Sequence, residues 1–366
     1  MQARLARLVS TLATPMAEQL KAQRRLGSFG LIADVQYANI DDGWNFRRTS
    51  QRYYRHGLQI LRWATDAWLD EAKSEVDEKM MRFAVDLGDV IDGQNNLVPG
   101  ASIAAIDATK VSFNSFQAHV GPVHHCVGNH ELYNVTKAEY IAQLTRHTAS
   151  PHAGPESLPP ADTQVAYYTF TEPSMPSYEF VVLDPYGVSL IGSPEGSPEH
   201  AAAVEFLNTN NPNENKNSPL GMRDLPNHIV RATAFNGAMD EPQVEWLQGV
   251  LARAAAAAKD VVIFTHVPIH PQTCLPGGVL LWNYPQVKQL LETHASTVRA
   301  VFSGHLHSNG YACDHGIHYM VLHAALECPH SPPDATKDRA FATVDVYPTA
   351  LHVRGVGQVP TRTLSW

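Results

Sequence analysis

The sequence predicts an α/β layered fold, on two observations. Strand-like apolar runs alternate along the chain with longer helix-like segments. Five short polar runs are interleaved with them, and four of the five follow an apolar strand-like run. The first strand, Leu31-Ile32-Ala33, stops at Asp34-Val35-Gln36. Beyond it Tyr54, Leu58, Leu61, Thr65, Trp68 and Ala72 recur at spacings of three and four. That spacing is the buried face of one long helix, with the charged stretch 71–79 as its solvated end. Phe83-Ala84-Val85 leads into Gly88-Asp89-Val90-Ile91-Asp92-Gly93, and the mixed strand 123–127 into Gly128-Asn129-His130-Glu131. Residues 148–163, rich in Pro, Ser and Ala, read as a surface loop. Residues 192–228 are crowded with Asn, Pro, Gly and Ser and read as a loop-rich insert, a lid or a disordered segment. Asp240 is placed to cap a helix with Gln243 as capping-box partner; Val244, Leu247, Val250 and Leu251 form its stripe, and an alanine run extends it. Strand 261–264 delivers Thr265-His266, and Ala300-Val301-Phe302 delivers Gly304-His305-Leu306-His307. Runs 318–323, 343–347 and 351–356 read as closing strands. No internal repeat is present, and the expected organisation is a single domain over 29–366 behind an extension, residues 1–28.

The bulk composition narrows the function. With 366 residues and 44% hydrophobic content the chain builds its own core without staples. Its net charge of -9, from 36 acidic and 27 basic residues, argues against nucleic acid as a partner. An anionic substrate then needs a local positive site, which bound cations supply. The four cysteines form no CxxC pair, so free thiols in a reducing, cytoplasmic setting are expected. No apolar run approaches the roughly 18 residues a membrane span needs. Residues 1–28 carry Arg4, Arg7, Lys21, Arg24 and Arg25 against the one acid Glu18, a composition that fits a transit peptide or an ordinary N-terminal helix.

Taken singly, an Asp at a strand end is more often a cap or turn residue, and a histidine more often a satisfied surface or core residue. Five runs in one order carry more. D-x-Q, GDxxDG, GNHE, a lone His and GHxH, in that sequence, resemble the calcineurin-like metallophosphoesterases. The resemblance implies a layered sandwich of two mainly mixed β-sheets flanked by helices, with a dinuclear metal site at the strand ends. It further implies that Asp34, Gln36, Asp89 and His307 bind one divalent cation. Asp89 bridges to a second, completed by Asn129, His266 and His305, while His130 stabilises or protonates the departing oxygen. Two such cations acidify a water and clamp phosphate oxygens. Gln36 departs from the commoner His at that position. An amide oxygen is a harder donor than an imidazole, which tilts the expected metal to Mn²⁺ or Mg²⁺ and away from Zn²⁺. The other reading is that Gln36 points elsewhere and one metal is lost.

Finer segments narrow the resemblance. Residues 34–38, 52–55, 127–134, 234–237 and 304–311 look like the manganese-dependent ADP-ribose/CDP-alcohol diphosphatases, from Phe29 to Gly357. That implies hydrolysis of a diphosphate linkage in ADP-ribose or CDP-choline-like molecules, giving AMP or CMP plus a phosphate ester, by a protein expected to be a monomer. The alternatives are a phosphoprotein phosphatase or a cyclic-nucleotide phosphodiesterase of the same superfamily. A non-catalytic scaffold is a third, although such a member would be expected to lack His130 or several ligands. For substrate contact, Trp44 and Phe46 are candidates to stack on a base. Arg47, Arg48, Arg52 and Arg55 are candidates for phosphate, Asn95 and Asn96 for hydrogen bonds, and Cys274 for lining the pocket. Asp92 reads as the orienting partner of a histidine.

Overall fold

The computed structural model describes residues 23–73, 80–145, 166–275, 277–330 and 337–366. Within them the strands are β1 (Gly27–Ile32), β2 (Gly43–Trp44), β3 (Gln51–Arg52), β4 (Met81–Asp86), β5 (Val123–His125), β6 (Tyr168–Phe170) and β7 (Tyr178–Val182). They continue with β8 (Asp260–Phe264), β9 (Val298–Ser303), β10 (Gly310–Asp314), β11 (Ile317–Val321), β12 (Ala340–Tyr347), β13 (Ala350–Gly357) and β14 (Arg362–Ser365). Two six-stranded sheets form, ordered β14-β13-β12-β1-β4-β5 and β10-β11-β9-β8-β7-β6. Both are mixed. β1, β4 and β5 run parallel, as do β7, β8, β9 and β11, and the remaining pairings are antiparallel.

The apolar faces of the two sheets meet across a layer of phenylalanines. Phe29 on β1 stacks on Phe83 at 4.9 Å and meets Phe264 of the other sheet edge-on at 5.6 Å, while Phe83 meets Phe180 at 4.9 Å. Fully burying each such ring contributes about 1.5–3 kcal/mol, so this layer fixes how the sheets sit on each other. Helix Tyr54–Ala72 covers the outer face of the first sheet with the stripe expected of it: Tyr54, Leu58, Leu61, Thr65 and Trp68 are buried. Gly30 makes room for Trp68, since a Cβ there would lie 2.4 Å from the indole. Helix Glu241–Ala256 packs on β8, beginning at Asp240, whose carboxylate accepts the Gln243 N–H at 2.9 Å.

Six expectations differ from the structure or fall outside the described residues. Ordered structure begins ahead of residue 29, with β1 starting at Gly27 and Arg25 paired with Asp345 at 2.9 Å. The side chain of Gln243 does not close a capping box; it bonds the backbone N–H and C=O of Asp184 at 2.9 and 2.8 Å. Residues 192–228 are not all loop: Ser197 caps a helix over Pro198–Asn210. Phe206, Ala203 and Leu207 seat that helix on Trp282, Ala234 and Ala238, a small core separate from the main one. The loop at 148–163, the helix end at 74–79 and residues 1–22 lie outside the described residues. Among those described, no helix is long and apolar enough to cross a membrane, and all four cysteines are free.

Candidate metal centre

The parallel strands of the two sheets point their C-terminal ends to one side, and the polar runs leave from those ends. The chain must turn sharply there to bring side chains back over the sheet edge. Five of the eight non-glycine residues with positive φ among the described residues are candidate ligands: Asp34 (51°), Gln36 (42°), Asp89 (58°), His305 (67°) and His307 (63°). The left-handed region costs an ordinary residue roughly 1–2 kcal/mol, so its concentration here marks a site that the rest of the fold holds in place. Glycine supplies the close approaches. A Cβ on Gly128 would sit 2.1 Å from Asp89 Oδ1, so the turn into helix Asn129–Asn134 can pass that carboxylate only without a side chain.

The ligand atoms of Asp89, His266 and His305 all lie within 4.8 Å of one another, and so do those of Asp34, Asp89 and His307. Two clusters sharing one buried carboxylate are what a pair of cations bridged by Asp89 requires. Gln36 joins the second cluster, its amide nitrogen 3.1 Å from Asp89 Oδ2 and 2.9 Å from His307 Nε2. Asn129 joins the first, with Oδ1 3.3 Å from His266 Nε2. Gln36 Oε1 is buried with no hydrogen-bond partner among the described residues. Turning the amide over presents that oxygen to the cluster as a donor atom, and a cation there would satisfy it.

The histidines are oriented as ligands are. His266 Nδ1 lies 2.8 Å from the Leu87 carbonyl, which takes its N–H and leaves Nε2 facing Asp89 Oδ2 at 3.1 Å. His307 Nδ1 lies 2.9 Å from Glu327 Oε1, which leaves Nε2 toward Gln36 and toward Asp34 at 3.5 Å. Glu327 is held in turn by Ser50. Charge is unevenly shared among these groups. Burial pushes Asp34 up to about 6 against the pull of His307 and His266. Burial would raise Asp89 too, but His266 and His130 outweigh it and hold that carboxyl below the usual range. Burial would lower His266, yet Asp89 prevails and pushes it up to about 10. A cation bound here would compete with the proton for the Nε2 lone pair of His266. The residues fit two divalent ions with oxygen and imidazole donors and no thiolate, a set suited to Mn²⁺.

A match to the calcineurin-like phosphoesterase family covers residues 29–309. The chain belongs to the calcineurin-like phosphoesterases. This phosphoesterase is 34% identical over 352 residues to the manganese-dependent ADP-ribose/CDP-alcohol diphosphatase of Bos taurus, covering 94% of this chain and 96% of that one. It is 35% identical over 339 residues to the same-named protein of Arabidopsis thaliana, covering 92% and 96%. Its fold matches the crystal structure of a dimetal phosphatase from Danio rerio with a TM-score of 0.80 at 33% identity, over 94% of this chain and all of that one.

Around the centre of this phosphoesterase, His130 is set by two loops. Its N–H donates to Asp89 Oδ1 at 2.7 Å, and its ring Nδ1 lies 2.8 Å from the Gly93 N–H and 3.1 Å from Asp92 Oδ2. Only one of these ring contacts is a hydrogen bond at a time. The neutral ring accepts from Gly93 at Nδ1 and so carries its proton on Nε2; the protonated ring donates from Nδ1 to Asp92. With Gly93 donating to Nδ1, the hydrogen of the neutral ring sits on Nε2. Burial would lower this imidazole, but Asp89 and Asp92 outweigh it and raise it. Asp92 therefore orients a histidine, as its position suggests.

The substrate candidates divide. Phe46 and Trp44 are 58% and 56% exposed on the β2–β3 hairpin, and the Arg47 guanidinium lies 5.5 Å over the Phe46 ring. Arg52 lies close enough to Asp92 and Glu327 to help hold both carboxyls down, after the larger effects of their histidine partners. Arg55 instead pairs with Asp41 at 2.9 Å. The Asn95 amide donates to the carbonyls of Tyr37 and Asp92, both at 2.8 Å, and so ties two loops together. The Cys274 thiol is buried against the Val279 carbonyl at 3.8 Å, and burial pushes it up to about 12, so it is a neutral packing group. In a third group, Glu292, Asp314 and His315, the two carboxylates already hold the Lys288 ammonium. Sequence reading missed roles for Glu131, Asn236 and Glu327. Glu131 carries the clearest one, accepting the N–H groups of Asp89, Val90, Ile91 and Gly128 at 3.0, 2.6, 3.3 and 2.9 Å. One side chain thereby locks the GDxxDG loop to the GNHE loop.

Proposed function

We propose that this phosphoesterase is a manganese-dependent hydrolase of the diphosphate linkage in ADP-ribose and CDP-alcohols, yielding AMP or CMP and a phosphate ester. The observation that carries the reading is the pair of ligand clusters sharing Asp89, and the names of the relatives support the substrate class. In it Asp34, Gln36, Asp89 and His307 hold one cation, and Asp89, Asn129, His266 and His305 the other. Bound there, the pair supplies an acidified water and neutralises phosphate charge.

The protein's own groups do the rest. Asp89, buried and kept ionised by its histidine neighbours, holds a negative charge between the two clusters. Glu131 fixes the backbone that carries it. His130 presents its Nε2 hydrogen to the oxygen that departs as the P–O bond of the diphosphate breaks. Arg52 offers a guanidinium for the phosphate that does not react, and the exposed faces of Phe46 and Trp44 offer a surface for the base. We also take the chain to act as a monomer in the cytoplasm without nucleic acid, a reading supported by its net charge of -9 and its free thiols.

The test is product analysis with ADP-ribose, CDP-choline and p-nitrophenyl phosphate under Mn²⁺, Mg²⁺ or Zn²⁺. Strong Mn²⁺-dependent release of AMP and CMP, with little attack on the monoester, is expected. Preferential attack on the monoester would contradict the diphosphatase reading.

A further inference from the structure

We infer that Asn236 is a positioning residue that sets which nitrogen of His305 faces the metal centre. The inference rests on the two-cation reading above. The two histidines of the GHxH run do not present the same atom. His307 turns Nε2 inward, whereas His305 turns Nδ1 inward, 3.1 Å from His266 Nε2, and its Nε2 outward, 2.7 Å from Asn236 Oδ1. An imidazole ligand must offer a bare nitrogen, so His305 is useful only in the tautomer with its proton on Nε2.

Asn236 enforces that tautomer because its own orientation is not free. Its amide nitrogen faces the Arg231 carbonyl at 2.9 Å, the Thr233 hydroxyl at 3.0 Å and the Gly278 carbonyl at 2.9 Å. Two of these are pure acceptors, so the –NH₂ end must point to them and the carbonyl oxygen must point to His305. Asn236 is fully buried, so no water competes for that oxygen. A bare His305 Nε2 against it would bring two lone pairs together at 2.7 Å; the proton therefore stays on Nε2 and Nδ1 is left open. The Phe235 ring, 5.7 Å from the imidazole, flanks it on the same segment. The amide also joins the segment after the insert to the loop around Gly278, so the anchoring of both reaches His305 through this hydrogen bond.

Two variants separate this role from plain packing. Asn236→Asp keeps an acceptor for His305 while losing the –NH₂ contacts; Asn236→Leu keeps the volume and loses both. Long-range ¹H–¹⁵N spectra of the metal-free protein read the tautomer directly, and Mn²⁺ titration followed by electron paramagnetic resonance reads affinity at each site. Expected are a protonated Nε2 on His305 in the unsubstituted protein and in Asn236→Asp, both with two Mn²⁺ bound. Asn236→Leu should lose about 10–100-fold in affinity at one of the two sites. A proton on Nδ1 in the unsubstituted protein, equal losses in both variants, or full affinity in Asn236→Leu would each overturn the inference. Failure of the unsubstituted protein to bind two Mn²⁺ would count against the two-cation reading instead, and the metal-free spectra would still decide the role of Asn236.

Discussion

Asp89 belongs to both ligand clusters, so it is the residue whose charge the centre can least do without. Asp89→Asn keeps the volume and removes that charge. Turnover should fall by more than about 100-fold while far-ultraviolet circular dichroism stays unchanged, and near-normal turnover would contradict a bridged pair. His130 is bound to Asp89 through its backbone and to the Asp92 and Gly93 loop through its ring, so its side chain can be removed without touching a ligand atom. His130→Ala should depress kcat by about 10²–10⁴-fold with KM little changed, measured by steady-state kinetics on ADP-ribose. An effect confined to KM would make His130 a substrate-positioning group. The residues that the two clusters bring together were legible in the sequence because each sits within a few residues of a strand end, where motif and geometry coincide. Glu327 and Asn236 were not. They reach the site from separate loops, and nothing in their local spacing says which histidine they will meet.

The loops carrying the ligands are stiffened as elements. Glu131 gathers four N–H groups from two loops, and Gly128 passes Asp89 at a distance no side chain permits. Gly128→Ala must displace the Asp89 carboxylate, and Mn²⁺ affinity should drop by at least about tenfold, read by titration against a stable circular dichroism spectrum. Unchanged affinity would mean that the turn relaxes without cost. The long helix Tyr54–Ala72 was legible because its apolar spacing is strong, as was the cap at Asp240. Helix Pro198–Asn210 was not: only Ala203 and Leu207 on it are buried, and its Asn- and Pro-rich flanks dominate the local pattern. The strands β6, β7, β10 and β14 are also absent from the expected set. β6, β10 and β14 are three to five residues long and lie at sheet edges; β10 and β14 are only partly buried, and β6, though buried, is three residues long. β7 is short but buried, and Tyr178–Val182 holds its place through parallel pairing with β8, a long-range contact.

At the scale of the molecule, two sheets locked by a phenylalanine layer place both sets of parallel strand ends at one rim, and the centre exists only where they meet. Neither sheet alone holds a complete ligand set, since β1, β4 and β5 lead into Asp34, Gln36, Asp89 and Asn129, while β8 and β9 lead into the three histidines. Cations that bind this rim therefore cross-brace the sheets and should stabilise the fold. Free Mn²⁺ at 100 times its dissociation constant should add about 2.7 kcal/mol per site, seen as a rising Tm that chelation reverses. Asp89→Asn should lose most of that rise; a Tm indifferent to Mn²⁺ would show that the clusters do not bind it. The most direct test of the account is a Mn²⁺ titration that follows AMP formation from ADP-ribose while bound Mn²⁺ is counted in the same samples. The account predicts that AMP formation appears as the second Mn²⁺ per chain is bound. Full turnover with one Mn²⁺ per chain, or none with two, would contradict it.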